Sequence, residues 1–155
     1  MNQTEYIVSR LEEVLTKGEW VTGTNYLKEI KDLNWQIAVA TPNGLNSVAG
    51  LVFHINYYLE GVNTALKDGV LEISDANSFD GFAVSNETEW KALVMRFEMS
   101  ANRFIETVRH LFLADLQECF FKAEYGTVLR NIDVMVEHCY YHLGQIRLIK
   151  KLSGV

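Results

Sequence analysis

The chain has 155 residues, carries a formal net charge of −6 and is 48% hydrophobic. This composition excludes a disordered chain and a general nucleic-acid binder, which would need a basic surface to bind phosphates. No apolar stretch approaches the roughly 20 residues of a membrane span. The length predicts one domain over residues 1–155. The presence of only two cysteines and an N-terminus without a signal-peptide pattern predict a cytoplasmic protein.

The first predicted element is a helix that begins at a Thr4 cap and ends at Gly18, with apolar residues at three- and four-residue spacing. Residues 19–46 contain two of the three tryptophans and the only proline. They predict an irregular connection with one or two short helical turns, in which Thr41-Pro42-Asn43-Gly44 is the clearest turn.

A second helix is predicted from Ser47 to about Val62, with His54 on or beside its apolar face. Residues 67–86 are rich in Gly, Asp, Asn and Ser and predict a second long connection. Fully extended, this segment would span about 60 Å, twice the length of a 20-residue helix. The helices on either side of it could therefore run parallel to each other.

The third predicted helix opens with the capping-box pattern Asn86-Glu87-Thr88-Glu89, and its apolar residues recur from Trp90 to Phe112. After a break at residues 113–123, a fourth helix is predicted from Val128 to Ile149. No convincing pair of strands is present. The predicted fold class is all-α, a four-helix bundle with two long connections.

Two of the four histidines, His138 and His142, lie four residues apart on the fourth predicted helix. Their imidazoles would share one face about 6 Å apart along the axis, close enough to bind one metal ion. Spacing alone is also compatible with two ordinary hydrogen-bonded histidines. His54 could meet the pair inside a bundle, whereas His110, at the end of the third helix, is interpreted as structural.

Two segments of the chain resemble a known family. Residues 46–55, Asn-Ser-Val-Ala-Gly-Leu-Val-Phe-His-Ile, resemble the Ser-Ile-x-x-Leu-x-x-His-Ile helix of the DinB-like superfamily. Residues 138–146, His-Cys-Tyr-Tyr-His-Leu-Gly-Gln-Ile, are similar to its His-x-x-Tyr-His-x-Gly-Gln-Ile ending, and Trp90 also fits the family pattern. The chain is identified on these motifs as a DinB-like protein of a superfamily of small, proposed metalloenzymes.

The resemblance implies a bundle whose helices run up-down-down-up and a divalent ion held by His54, His138 and His142. In similar proteins the ion is zinc, nickel or another first-row metal, with iron or manganese as further alternatives. Some of those proteins use a low-molecular-weight thiol as transferases or isomerases. The resemblance also favours a homodimer that acts on a small molecule, and it implies no binding to nucleic acid or membrane.

Three neutral imidazoles would leave one position of the ion open, as in catalytic sites. We therefore expect a metal-dependent transferase, isomerase or hydrolase; the alternative is a non-catalytic metal-binding or interaction bundle. No residue is assigned as the general acid or base. Side chains considered for contacts to the site or substrate are Gln145, Tyr57, Tyr58, Tyr141, Asp133, Glu137, Cys139, Arg103, Arg130 and Arg147.

Overall fold

The computed structural model describes all residues from 1 to 155, and its regular secondary structure is helical. No helix in it is both long enough and apolar enough to cross a membrane. Its only β-type pairing is an isolated bridge between Cys119 and Thr127, so the predicted all-α class is confirmed. The seven α-helices are α1 Gln3–Glu12, α2 Tyr26–Ile30, α3 Trp35–Ala38, α4 Val48–Asp68, α5 Glu87–Arg109, α6 Leu113–Gln117 and α7 Val128–Leu152.

The first helix begins two residues earlier than predicted. Asn2, not Thr4, is its N-cap, because the Asn2 side chain accepts a hydrogen bond from the backbone N–H of Glu5. Thr4 is buried inside the first turn. A π-helical turn, Glu13–Lys17, extends α1, and the helical segment ends at Gly18 as predicted.

The connection between α1 and α4 has the predicted irregular form. It contains the short helices α2 and α3 and a 3-10 turn at Pro42–Gly44. Asn43 and Gly44 both have positive φ angles in that turn, a conformation that asparagine and glycine adopt more readily than other residues. The turn delivers the chain to Ser47, whose hydroxyl accepts a hydrogen bond from Gly50 N–H and caps α4.

The connection between α4 and α5 is fastened along the surface of α4. The Tyr57 hydroxyl accepts a hydrogen bond from Ser74 N–H and donates one to the Ser74 carbonyl. The Phe53 ring packs edge-on against Phe82, with ring centroids 5.6 Å apart. This segment, residues 69–86, is called the α4–α5 strap below.

Helix α5 departs from its prediction at both ends. Asn86 caps it, but the Glu89 carboxylate accepts from Ser85 N–H and not from the Asn86 backbone, so only half of the predicted capping box forms. The helix ends at Arg109, with His110 as its C-cap. The apolar pattern continued to Phe112 because α6 starts immediately afterwards; this short helix was missing from the prediction.

One cluster of 33 buried hydrophobic residues forms the core, contributed mainly by α1, α4, α5 and α7. Tyr26 of α2 also enters it, stacked on Phe97 at a centroid distance of 5.1 Å. The Tyr26 hydroxyl donates to the backbone carbonyl of Cys139 on α7. These contacts fix the position of α7 and, with it, the position of the two histidines that α7 carries.

Candidate metal centre

Three histidines from two helices meet at one point of the core surface. His54 comes from α4 and is 4% exposed, while His142 of α7 is 8% exposed and His138 is partly exposed. The His138 Nε2 atom lies 3.1 Å from His54 Nε2 and 2.9 Å from His142 Nε2. The structure therefore brings together all three residues that were predicted as metal ligands.

Two of the three spacings between these nitrogens match a single coordination sphere. All three donor atoms lie within 4.8 Å of one another. Ligand nitrogens about 2.0–2.1 Å from a zinc ion, at angles between octahedral and tetrahedral, are about 2.9–3.4 Å apart. The two separations from His138 Nε2, 3.1 and 2.9 Å, fall in this range, so one divalent ion could be bound by the three imidazoles.

Hydrogen bonding supports the same conclusion. Gln145 Oε1 lies 2.7 Å from His142 Nδ1; because this oxygen can only accept, Nδ1 carries the proton and the Nε2 lone pair faces the other two imidazoles. A neutral imidazole has one N–H, so one proton on His138 Nε2 would have to serve two facing nitrogens. Protein hydrogen bonds alone leave the cluster unsatisfied, whereas an ion that accepts three lone pairs satisfies it.

A second unsatisfied atom lies at the edge of the cluster. His54 Nδ1 is buried and has no hydrogen-bond partner. Buried polar atoms without partners are uncommon in folded proteins. His54 is therefore held by packing against aromatic rings and by its backbone on α4. It lacks a hydrogen bond at Nδ1 of the kind that His142 makes with Gln145.

Burial keeps the imidazoles neutral. Burial, together with repulsion from His142, lowers the pKa of His54 and of His138 to about 4. Burial also lowers the pKa of His142, against the hydrogen bond to Gln145, which raises it. Because metal ions bind neutral imidazole, no proton has to be displaced from these rings at pH 7.

Aromatic rings surround the cluster. Phe79 stacks on His54 with centroids 4.6 Å apart and ring planes at 19°. Tyr58 packs edge-on against both His54 and His138, and Tyr141 packs edge-on against His142. These rings restrict the rotation of the imidazoles and limit the access of water to the nitrogens.

The comparison with known families agrees with this site. The model of the DinB superfamily matches residues 17–146, which is most of the chain. The chain belongs to the DinB superfamily. This superfamily is metal-binding, and the matched range contains all three histidines. No curated protein and no solved structure matches the chain significantly.

The strap supplies two residues to the site of this DinB protein that the sequence analysis missed. Asp75 accepts a hydrogen bond of 2.9 Å from the Tyr58 hydroxyl, and its charge acts to raise the pKa of all three histidines. Burial and this hydrogen bond raise the pKa of Tyr58 to about 12. Phe79 is the second residue. Neither could be found by periodicity, because both lie in an irregular segment; only the aromatic pair Tyr57-Tyr58 on α4 hinted at a contact there.

Several other candidates do not reach the histidines. Cys139 is fully buried beside them in sequence, and burial raises the pKa of its thiol. It therefore acts as a small core residue and not as a nucleophile. His110 is structural as expected, with Nδ1 2.7 Å from the Glu106 carbonyl. Tyr57 binds Ser74 in the strap.

The charged candidates on α7 are engaged elsewhere. Asp133 binds Arg10, and Glu137 binds Arg130. Arg147 binds the Thr22 carbonyl and lies 3.6 Å from Glu29. Arg103, on α5, lines a surface depression with Glu60 and Asn63. No arginine therefore faces the three imidazoles, and the environment of the site is set by uncharged aromatic side chains and Asp75.

Proposed function

We propose that this protein is a divalent-metal-dependent enzyme whose ion is held by His54, His138 and His142. The observation that carries the proposal is the convergence of three Nε2 atoms, with Gln145 directing the His142 lone pair toward the other two rings. The partial exposure of His138 supports a catalytic site over a closed structural one, because a substrate can approach from that side.

The donor set favours zinc or nickel. Three imidazole nitrogens without a carboxylate suit zinc, nickel and iron, whereas manganese prefers oxygen ligands. Asp75 is the acidic group whose charge acts on all three histidines, but its carboxylate is already hydrogen-bonded to Tyr58. We therefore place zinc and nickel first, iron next and manganese last.

The reaction class that we propose is thiol-dependent transfer or isomerisation, with hydrolysis as the alternative. A bound divalent ion would supply Lewis acidity that lowers the pKa of a thiol or a water molecule at its open position. Phe79, Tyr58 and Tyr141 exclude bulk water, which favours a soft, weakly hydrated thiolate. Because no arginine faces the site, we expect the rest of the thiol compound to carry no charge near the imidazoles.

Two further residues have positioning roles in this proposal. Gln145 holds the tautomer and the rotation of His142. The Tyr58 ring packs against His54 and His138, while its hydroxyl is held by Asp75. The Asp75 carboxylate is the only acidic group at hand to accept a proton from a substrate thiol, and it would do so by exchanging its hydrogen bond with Tyr58.

The metal content of purified variants tests the proposal. We expect protein prepared without a nickel column to contain or take up about one equivalent of zinc or nickel, and His142→Ala to lose it. His110→Ala is the matched control, because His110 lies outside the cluster and should leave the metal content unchanged. Protein that carries no metal and takes up neither ion would contradict the proposal. Metal that stabilises the fold but exchanges no exogenous ligand would favour the non-catalytic bundle.

We also propose that residues 1–155 form one domain whose four long helices run up-down-down-up. Two sets of contacts support this order. Along α4 and α5, Glu60 binds Arg96 and Asn63 accepts from Thr107. The residue numbers of the partners increase together, as expected for parallel helices. Along α4 and α7, His54 contacts His142 and Tyr58 contacts His138. The residue numbers increase in α4 while those of the partners decrease in α7, as expected for antiparallel helices.

A cytoplasmic homodimer completes the proposal. The outer face of α7 carries the exposed side chains of Tyr141, Leu148 and Leu152, spaced by seven and four residues as in a helix-packing face. A Cβ added at Gly144, between them, would have no atom within 4 Å, so a second helix could approach closely there. Leu148→Glu should then convert dimer to monomer in analytical ultracentrifugation, while Met95→Glu on α5 should not; a monomeric wild-type protein would contradict this.

A further inference from the structure

A small cavity borders the proposed metal site on the side of His138. It has a volume of about 230 Å³ and lies between α4, α7 and two connections. Its lining includes Tyr58 and Val62 of α4, Ile73 of the strap, Phe120, and Met135 and His138 of α7. His138 is thus both a proposed metal ligand and part of the cavity wall. We call this space the His138 cavity.

No acidic or basic side chain other than the neutral His138 lines the His138 cavity. Its polar groups are largely occupied: Asn131 Nδ2 donates to the carbonyls of Tyr125 and Thr127, and the Tyr58 hydroxyl donates to Asp75. A charged ligand would lose its hydration there without gaining a partner. The chemistry of the walls therefore selects an uncharged, apolar group.

The loop that carries Phe120 in the cavity wall is closed by backbone hydrogen bonds. The next residue, Phe121, has a φ angle of +62°, which is rare for a bulky side chain. Hydrogen bonds of 2.9 Å from Phe120 N–H to Gly126 and from Val128 N–H to Glu118 maintain the loop. These two hydrogen bonds fix the backbone that carries the Phe120 ring in the cavity wall.

The volume limits the size of the ligand. An engineered apolar cavity of about 150 Å³ binds benzene in another protein. The His138 cavity, at about 230 Å³, could accordingly take one ring with a short substituent, or a branched aliphatic group of similar size. A fused polycyclic group would extend out of it into solvent, past the exposed side chains of Tyr125 and Val134.

We propose that the His138 cavity binds the uncharged aromatic or branched aliphatic group of a small-molecule substrate whose donor atom reaches the metal beside His138. The inference rests on the proposed function for the metal end of the substrate, but the apolar end depends on the cavity alone. It narrows the substrate to a compact apolar compound with one metal-binding head group such as a thiol.

Binding of toluene to the metal-free protein tests the cavity by itself. The chain has four methionines, of which Met135 lines the cavity while Met95 and Met99 are exposed on α5. With ¹³C-labelled methionine methyl groups, we expect toluene to shift the Met135 signal in a saturable way and to leave the signals of Met95 and Met99 in place. Absence of a saturable Met135 shift would overturn the inference.

A matched pair of valine variants makes the test specific. Val134 lines the cavity and is 40% exposed, so Val134→Phe can add a ring at the edge without overpacking the core. Val21→Phe makes the same change at an exposed position outside it. We expect toluene affinity to fall about 10-fold or more in Val134→Phe and to stay unchanged in Val21→Phe. Equal affinity in both variants would overturn the inference.

Binding of thiols to the cobalt-loaded protein tests the metal-binding head group and the apolar group of the proposed ligand together. Phenylmethanethiol and 2-hydroxyethanethiol present the same head group, and their binding is read from the thiolate-to-cobalt absorption band. We expect the aromatic thiol to bind about 10-fold or more tightly, and the preference to vanish in Val134→Phe. Failure to bind cobalt would count against the proposed function, whereas cobalt binding without an aromatic preference would count against the cavity.

Discussion

At the scale of single residues, the hydrogen bond from His142 to Gln145 does most to define the site. His142 could rotate or change tautomer without it, because the opposite ring nitrogen would have no fixed partner. Gln145 is three residues further along α7, so the helix itself delivers the acceptor to the ring. A ligand and the residue that orients it are therefore encoded within one helical turn.

We expect Gln145→Leu to weaken zinc affinity about 10- to 100-fold, because the variant removes the acceptor that fixes the His142 tautomer. Gln145→Glu, which keeps an acceptor oxygen, should retain the affinity. Competition with a chromogenic chelator measures both variants. Equal zinc affinities for wild type and Gln145→Leu would show that packing alone orients His142.

At the scale of elements, the α4–α5 strap depends on a glycine in the middle of α4. A Cβ added at Gly61 would lie 2.0 Å from the Ile73 Cγ2 atom, so the strap can lie this close only because residue 61 has no side chain. The same contact positions Ile73 in the wall of the His138 cavity. Ile73 also precedes Asp75 by two residues in the strap.

Gly61→Ala should therefore destabilise the protein, although the same change in an unobstructed helix stabilises it by about 1 kcal/mol. Overpacking costs about 1–3 kcal/mol, which outweighs the gain in helix propensity. Urea denaturation measures the difference. In an Ile73→Ala background the 2.0 Å clash is absent and only the contact to the Cβ atom of residue 73, at 3.3 Å, remains, so Gly61→Ala should be much less destabilising. A destabilisation of the same size in both backgrounds would refute the explanation.

The short helix α2 is joined to α7 by a nearly buried ion pair. Glu29 Oε2 lies 2.6 Å from Lys150 Nζ, and the two side chains are 12% and 18% exposed. Burial acts to raise the pKa of Glu29, but hydrogen bonds from Lys150 and Thr24 outweigh it and lower the pKa below 4.5. A depressed carboxylate pKa stabilises the fold above pH 4.5, and this contribution is lost as pH falls through the folded-state pKa.

Glu29→Gln should accordingly lower the free energy of unfolding by about 1–3 kcal/mol at pH 7, since the variant leaves Lys150 without its charged partner. At pH 3 the difference from wild type should shrink. Glu19→Gln is the control, because the Glu19–Lys28 pair is more than half exposed on both sides and should contribute less than about 1 kcal/mol. A pH-independent effect of Glu29→Gln would contradict the assignment.

At the scale of the whole molecule, the fold does not depend on the metal for its core. The 33 residues of the hydrophobic cluster connect α1, α4, α5 and α7 without the three histidines. The proposed ion would add a link between α4 and α7 on top of a fold that is already complete.

Removal of the metal should therefore lower the melting temperature without unfolding the chain. A ligand at about 100 times its Kd stabilises by about 2.7 kcal/mol, which corresponds to about 5–11 °C for a domain of this length. The helical circular dichroism signal at 25 °C should remain after dialysis against a chelator. Complete loss of that signal would indicate a structural ion on which folding depends.

The helices that could be predicted, and the pair His138 and His142, depend on a local repeat, whereas His54 was assigned as a ligand through the family resemblance. The helices α4, α5 and α7 are predicted by apolar residues at every three or four positions. His138, His142 and Gln145 follow one another at four- and three-residue spacing on one face of α7. The predictions failed where several local partners compete. Asn2 and Thr4 can both cap a helix, and Ser85 competes with Asn86 for the Glu89 carboxylate.

The sequence by itself therefore determined the all-α class, the family and the three histidines that could form one site. Only the tertiary structure decided that Asp75 and Phe79 join them, that the charged residues of α7 turn to other partners, and that a cavity lies beside His138. The physical reason is that helical periodicity and short-range hydrogen bonds are set by residues a few positions apart. The path of the strap and the shape of a cavity depend on packing between residues far apart in the chain, such as Gly61 against Ile73 and Tyr58 against His138.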